Sequence, residues 1–313
     1  FLMANNWQTT FYSDNSNKME KLINKSFEKI IFLFKPHLFK RNIFKLYFYK
    51  IFYLIFKKII TSPILINFGQ FKMFAYNSNK DLSKFMLKNL NVWDGFQVER
   101  INNIFKNKKS LFIDCGCSFG SYSVPIAKLN STDSKVIAID ASAVATRRLK
   151  ENVLLNDINN IEIYNLAIGK EEGYANFNED LNLLPNSGSF RFDSFGKKLR
   201  VTTLDIILEQ QLLDSFEVIF VKMDLEGYEF DGLLGFKKNI VKYKPIILFE
   251  FSRMLLKNTT FSENAFNLFL KETSYEIKDY DNNTYSIEQL VKEMNSKNEK
   301  YEVLADFLLV SKK

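Results

Sequence analysis

The chain is short of the residues from which most metal and nucleophilic sites are built. Its 313 residues include one histidine, His37, and two cysteines, Cys115 and Cys117, which are one residue apart. So few cysteines exclude a disulfide framework and a four-cysteine zinc site. Histidine-rich metal centres are excluded as well, and Ser-His-Asp catalysis would need His37 to fold back onto the site. Cys115 and Cys117 read as small residues filling a tight loop. No basic stretch leads into an apolar run and a small-residue cleavage site, so no secretory leader is expected. Hydrophobic residues make up 46% and charged residues 25% of the chain, which excludes global disorder. The length suits one large domain of ~250 residues with an appendage.

Charge is unevenly distributed. Residues 1–80 carry 13 Lys and Arg against Asp14, Glu20 and Glu28, so the net charge of +7 belongs to this quarter and the remainder is slightly acidic. A nucleic-acid enzyme places basic surface around its working cleft, so no nucleic-acid partner is expected. Residues 27–66 are basic and aromatic throughout. A membrane span needs ~20 mostly apolar residues, and Lys40, Arg41, Lys45, Lys50, Lys57 and Lys58 interrupt this one too often. Two readings remain for it. It is either a pair of helices, broken at Pro36 and Pro63 and packed on the following domain, or a surface that docks on a partner or on anionic lipid. The expected organisation is a helical extension over 1–80 and an enzymatic domain over 81–313, cytoplasmic and peripheral to the membrane if the docking reading holds.

After residue 80 apolar runs alternate with helical stretches. Strands are predicted at 111–115, 136–140, 161–168, 218–224, 246–251, 275–280 and 307–311, and helices at 122–129, 143–155, 204–213, 230–240 and 287–295. Such alternation predicts an α/β fold, a doubly wound parallel sheet covered on both faces, with the last strand antiparallel. A shorter strand at 174–177 and another at 199–203 flank residues 181–198, a candidate substrate lid.

The first strand runs into Asp114, Cys115, Gly116, Cys117, Ser118, Phe119 and Gly120, and then a helix. Ligands of such sheets bind beyond the carboxyl ends of the strands, where a small-residue loop allows close approach. The glycine spacing is not the dinucleotide pattern. An acid at the strand tip also repels a pyrophosphate and attracts a cation. Twenty residues beyond Gly120 the second strand ends in Asp140, placed to accept both hydroxyls of a ribose or to cap the next helix. A nucleoside bearing a cation and no diphosphate describes S-adenosylmethionine.

The blocks DCGCSFGSYS, VIAID, LKENVLLN (with Leu149, Asn152 and Asn156), VTTLD and KMDLEGYE occur in that order, and together they resemble the FkbM family of methyltransferases. The resemblance covers about residues 110–252. It implies a class I, Rossmann-like domain that uses S-adenosylmethionine to O-methylate sugars or other small hydroxylated metabolites. Asp114, Gly116, Cys117, Ser118 and Gly120 would then hold the methionine and ribose end, Asp140 the ribose, and Ala167 the adenine. The chain departs from the family at Ser118, where Asn is usual, and at Ser252, where Glu-x-His often ends the fifth strand.

At the fourth strand Lys222, Asp224 and Glu226 are expected on one face if the chain stays extended to Glu226. Asp224 is the first candidate for base or acceptor anchor and Glu226 the second. Lys222, Glu229 and Glu250 are candidate substrate contacts. The plainer reading makes Lys222 and Asp224 an ion pair and gives Glu226 and Glu229 to a helix N-terminus. Asp205 reads as a helix cap. Oxygen ligands of this kind suit magnesium or calcium, but no spacing compels a metal, and none is assigned. Two other functions remain open: methylation of nucleic acid or protein on the same fold, and a non-catalytic scaffold that docks to a membrane or partner.

Overall fold

The computed structural model describes residues 63–76, 86, 92, 94–130, 134–178, 191–192, 196–298 and 303–312. The chain divides into two compact units, Phe1–Val92 and Trp93–Lys313. In the first, β1 (Ile64–Asn67) and β2 (Lys72–Ala75) form an antiparallel hairpin with Ile64 opposite Ala75. The helical expectation for residues 1–80 is thereby corrected over 64–75. Burial there has a period of two, with Met73 and Ala75 inside and Lys72 outside, and the Asn67 side chain accepts the Gly69 N–H at 2.8 Å to close the turn. His37, residues 27–62 and the expected boundary at 80 and 81 lie outside the described residues.

The second unit opens with α1 (Gly95–Phe105), then β3 (Ser110–Cys115), α2 (Ser123–Leu129), β4 (Ser134–Asp140), α3 (Ala143–Leu155) and β5 (Ile161–Asn165). After a small sheet made by β6 (Ala167–Ile168), β7 (Gly173–Asn178), β8 (Arg191–Phe192) and β9 (Lys197–Thr202), the main layer resumes. It continues through α4 (Leu204–Leu208), β10 (Val218–Met223), α5 (Glu229–Leu234), α6 (Lys237–Tyr243), β11 (Ile246–Ser252) and α7 (Arg253–Lys257). The last elements are α8 (Glu263–Thr273), β12 (Tyr275–Lys278), β13 (Thr284–Tyr285), α9 (Ile287–Ser296) and β14 (Val303–Ser311).

The main sheet has the order β13-β12-β14-β11-β10-β3-β4-β5. Its strands β5, β4, β3, β10 and β11 are parallel, and β14 runs antiparallel to β11, as expected. Strand residues alternate between two cores. Leu111, Ile113, Val221, Phe249 and their like meet α4, α5, α6, α8 and α9 on one face; Phe112, Phe220 and Leu248 meet α1 and α2 on the other. The chain winds outward from β3 to β5 and then returns to the far side of β3 with β10. This reversal opens a crevice beyond the carboxyl ends of β3 and β10.

Several predicted elements prove to be broken. The strand expected over 161–168 ends at Asn165, where the Leu166 N–H turns to the Asp140 carbonyl (3.2 Å) and Ala167 joins the second sheet. The helix expected over 204–213 is α4 and a separate 3-10 turn, Leu213–Ser215; that expected over 230–240 is α5 and α6. Asp205 is a cap, but of α6: its carboxylate accepts the backbone N–H groups of Lys238 and Asn239 at 3.1 Å each, while Thr203 caps α4 itself. Of the candidate lid, Arg191–Phe192 is strand and Lys197–Lys198 begins β9, whereas residues 179–190 and 193–195 lie outside the described residues. No helix among the described residues is long and apolar enough to cross a membrane.

Candidate active site in the β3–β10 crevice

The first side of the crevice is the turn after β3. Gly116 has φ +84°, and a Cβ there would lie 1.8 Å from the Asp224 carbonyl oxygen. The glycine is thus required by the backbone of the neighbouring strand, which bonds through the Asp224 N–H to the Cys115 carbonyl at 3.0 Å. Gly120, at φ +94°, makes room for α3: a Cβ would meet Leu149 Cδ1 at 2.4 Å. Asn152 clamps the same turn by donating to the Phe119 carbonyl at 3.0 Å. Ser118, which replaces the more usual Asn, sits at φ +48°, and its N–H donates to Asp140 Oδ2 at 2.8 Å. Asn tolerates that left-handed conformation better than Ser, so the departure stores backbone strain in the turn. Cys115 and Cys117 are buried free thiols, each pushed up by burial, as loop filler should be.

Asp114 is fully buried. Its Oδ2 accepts the Ser123 hydroxyl at 2.5 Å, while Oδ1 is buried with no hydrogen-bond partner among the described residues. Burial pushes its carboxyl up against the pull of Lys222. Asp140 ends the adjacent strand, partly exposed, and is held by two backbone N–H groups, Ser118 to Oδ2 and Ser142 to Oδ1, both at 2.8 Å. Burial pushes it up to about 6. Asp140 therefore both steadies the turn and presents a carboxylate at the strand tip, while Ser142 is the cap of α3. Ala167 is buried in β6, directly beyond the break after β5.

The second side is a rim of acids from β10, α5, β11 and β14. Lys222 and Asp224 share a face and form an ion pair of 2.7 Å. The lysine is nearly buried; desolvation opposes its charge, but Asp224 and Asp114 outweigh this and hold the proton on the ammonium. Lys222 is thus a buried counter-ion rather than an open substrate contact. Glu226 does not share that face: β10 ends at Met223, and Glu226 turns into the left-handed region at φ +53°, so strand alternation stops before it. Its charge still acts on Glu250. Glu229 opens α5 fully buried, and its Oε1 accepts the N–H groups of Leu225 (2.8 Å) and Gly227 (3.1 Å), which pins the turn. Burial pushes Glu229 up to about 7, and burial together with Asp224 and Glu229 pushes the partly exposed Glu250 up to about 10. Ser252 is buried and caps α7 through a 3.3 Å bond from the Leu255 N–H.

Other residues of the rim escaped the sequence reading. Asp306 lies opposite Glu250 in the β11–β14 ladder, pushed up to about 6 by burial. Its signal is an acid inside an apolar strand, LADFLLV. Tyr122 donates to Asp94 at 3.1 Å, and its ring lies 5.0 Å from Lys222 Nζ. Ser123, the last residue of the DCGCSFGSYS block, joins the site through its bond to Asp114.

These groups suit a cationic nucleoside. Asp114 Oδ1 is a buried acceptor lacking a donor among the described residues, Asp140 is a partly exposed acceptor on the adjacent strand, and burial raises both carboxyls, so a cation brought beside them would be favoured.

A model of the methyltransferase FkbM domain matches residues 114–295. Among solved structures, the chain is similar to methyltransferase FkbM from Methylobacillus flagellatus KT, with 16% identity over 64% of this chain and 44% of that one (TM-score 0.40). It is also similar to TYW2 of M. jannaschii in complex with AdoMet, with 12% identity over 80% and 87% (TM-score 0.36). A third is TehB from Haemophilus influenzae, with 12% identity over 73% and 66% (TM-score 0.39). The chain thus spans less than half the length of the Methylobacillus protein. No curated protein matches it.

Proposed function

The chain belongs to the FkbM methyltransferase family, and from that premise we propose that it transfers a methyl group from S-adenosylmethionine to a hydroxyl of a sugar, a glycolipid precursor or a similar small metabolite. When bound, the cofactor supplies an electrophilic methyl carbon on a sulfonium. Asp140 would hold the ribose hydroxyls, the Gly116–Gly120 turn and Asp114 the methionine end, and Ala167 the adenine. The observation that carries the reading is the pairing of two unlike sides across one crevice. One presents strand-tip acids and a glycine turn; the other presents Asp224 beside Lys222.

An alcohol acceptor must align with the methyl carbon and give up its proton. Alignment is the larger task, because a held geometry replaces a bimolecular encounter. Asp224 takes the hydroxyl proton on a carboxylate oxygen, a step that general-base catalysis accelerates by roughly 10²–10⁴-fold. Lys222 keeps that carboxylate oriented through its 2.7 Å bond. Glu226 is the second choice for the base, and Glu250 is available to anchor the acceptor at the rim. The acidic rim disfavours a polyanionic acceptor such as nucleic acid.

We also propose that residues 27–66 bring the enzyme to an anionic membrane surface where glycolipid precursors are made. Co-sedimentation of the full chain with anionic and with neutral liposomes tests this; equal recovery with both counts against it. Calorimetric titration with S-adenosylhomocysteine tests the cofactor side, and labelled methyl transfer into glycan extracts tests the acceptor. Absence of binding to the wild-type chain would overturn the proposal.

A further inference from the structure

Three of the rim carboxylates converge from separate elements. Asp224 follows β10, Glu229 opens α5 and Glu250 lies in β11, and one carboxylate oxygen of each is within 4.8 Å of the other two. Like charges so close in a partly desolvated site repel strongly unless a proton or a cation is held among them, and a divalent ion can displace the proton. Lys222 compensates only in part, since it bonds Asp224 Oδ2 and its charge is shared with Asp114 and Asp306.

A second observation comes from Glu229. Its Oε1 is committed to two backbone N–H groups, whereas Oε2 is completely buried and has no hydrogen-bond partner among the described residues. A desolvated acceptor without a donor is costly, and the residue that carries it is one of the three converging acids. Hard divalent cations are bound by oxygen ligands of this kind, with water completing the shell. We infer that Asp224, Glu229 and Glu250 form a binding site for a divalent cation of the magnesium or manganese type. Glu229 supplies the buried ligand, while the partly exposed Asp224 and Glu250 face the crevice, which leaves positions on the ion open to water or to an acceptor oxygen. Binding of the ion does not depend on the methyl-transfer reading; only its use there, to orient an acceptor hydroxyl, rests on it.

The test is Mn²⁺ titration of the full chain after chelator treatment, without cofactor or acceptor, followed by electron paramagnetic resonance of the free ion. The wild-type chain is expected to take up one ion, which excess Mg²⁺ displaces. Glu250→Gln is expected to weaken uptake at least tenfold, and Asp224→Asn likewise, with the far-ultraviolet circular dichroism of both unchanged. Glu229→Gln is left aside because it also loosens the turn at Leu225–Gly227. Glu162→Gln, a surface acid on β5, should bind as wild type does. A free-ion signal untouched by the wild-type chain overturns the inference, and so does equal uptake by wild type and Glu250→Gln. S-adenosylhomocysteine titrated in parallel separates the two readings: nucleoside binding without Mn²⁺ uptake sinks the metal site alone.

Discussion

On the β3–β4 side of the crevice the strand-tip acid Asp140 is held by backbone amides; on the β10–β11 side carboxylates crowd one another, with Glu229 braced by backbone amides and Asp224 paired with Lys222. Asp140 is held by the N–H groups of Ser118, in the turn after β3, and of Ser142, at the start of α3. Asp224, Glu229, Glu250 and Asp306 come from separate stretches of chain, and the buried ammonium of Lys222 acts on Asp224 and Asp306 and, across the crevice, on Asp114. A backbone-built site is rigid before any ligand arrives and suits a ligand of constant shape. A rim built of mutually repelling carboxylates is short of positive charge, and whatever enters it must supply some. The two sides meet at Gly116, where the missing Cβ lets the Asp224 carbonyl pass.

The sharpest way to break this division is Gly116→Ala. A methyl 1.8 Å from a backbone oxygen, at a positive φ, forces β3 and β10 apart. The expected cost is about 4 kcal/mol or more, read as a lowered denaturation midpoint with loss of S-adenosylhomocysteine binding. Asp224→Asn disables only the second side. Turnover should fall by roughly 10²–10⁴-fold while cofactor affinity is kept; if turnover survives, the base is elsewhere. Asp140→Ala disables only the first side, and nucleoside affinity should drop about tenfold or more by calorimetry, since charged hydrogen bonds contribute about 1.5–3 kcal/mol.

The comparison also makes a pH prediction. The Asp140 carboxyl is raised by burial to about 6, so the folded chain keeps this proton over a range where the unfolded chain, with an Asp near its ordinary value, has lost it. Its contribution to stability is therefore present at low pH and lost as pH rises through about 6. Thermal midpoints of the ligand-free protein should fall over that interval, and Asp140→Asn should flatten the fall. The smallest effect is expected at Glu226→Gly. Relief of the φ +53° strain should add up to about 1 kcal/mol, with a smaller loss of turnover than Asp224→Asn. A larger loss would exchange the roles of the two acids.

The first side was legible because its rules are local. An acid and two glycines within seven residues, a helix start three residues on, and the end of the next strand follow from strand tips and tight turns, and the structure brings Asp114 and Asp140 onto adjacent strands. Where a local rule was carried one step too far, it failed. Alternation placed Glu226 with Asp224 on condition that the chain stayed extended, and it does not: the strand ends at Met223 and Glu226 turns left-handed. Glu229, read as a candidate substrate contact or as an acid at a helix start, does open a helix, but buried and bracing the turn before it. Asp306 was invisible as a partner of Glu250, because 56 residues and an antiparallel return separate the two in sequence and only the ladder makes them neighbours.

By itself the amino-acid order determined the alternating elements, the reversed last strand and the acid–glycine turn, because periodicity and turn chemistry act between residues close in the chain. Tertiary structure alone decided which carboxylates face one another, which oxygen is left without a donor and which of them Lys222 can neutralise. Those are matters of distance and desolvation between groups that the chain brings together only when the sheet is complete.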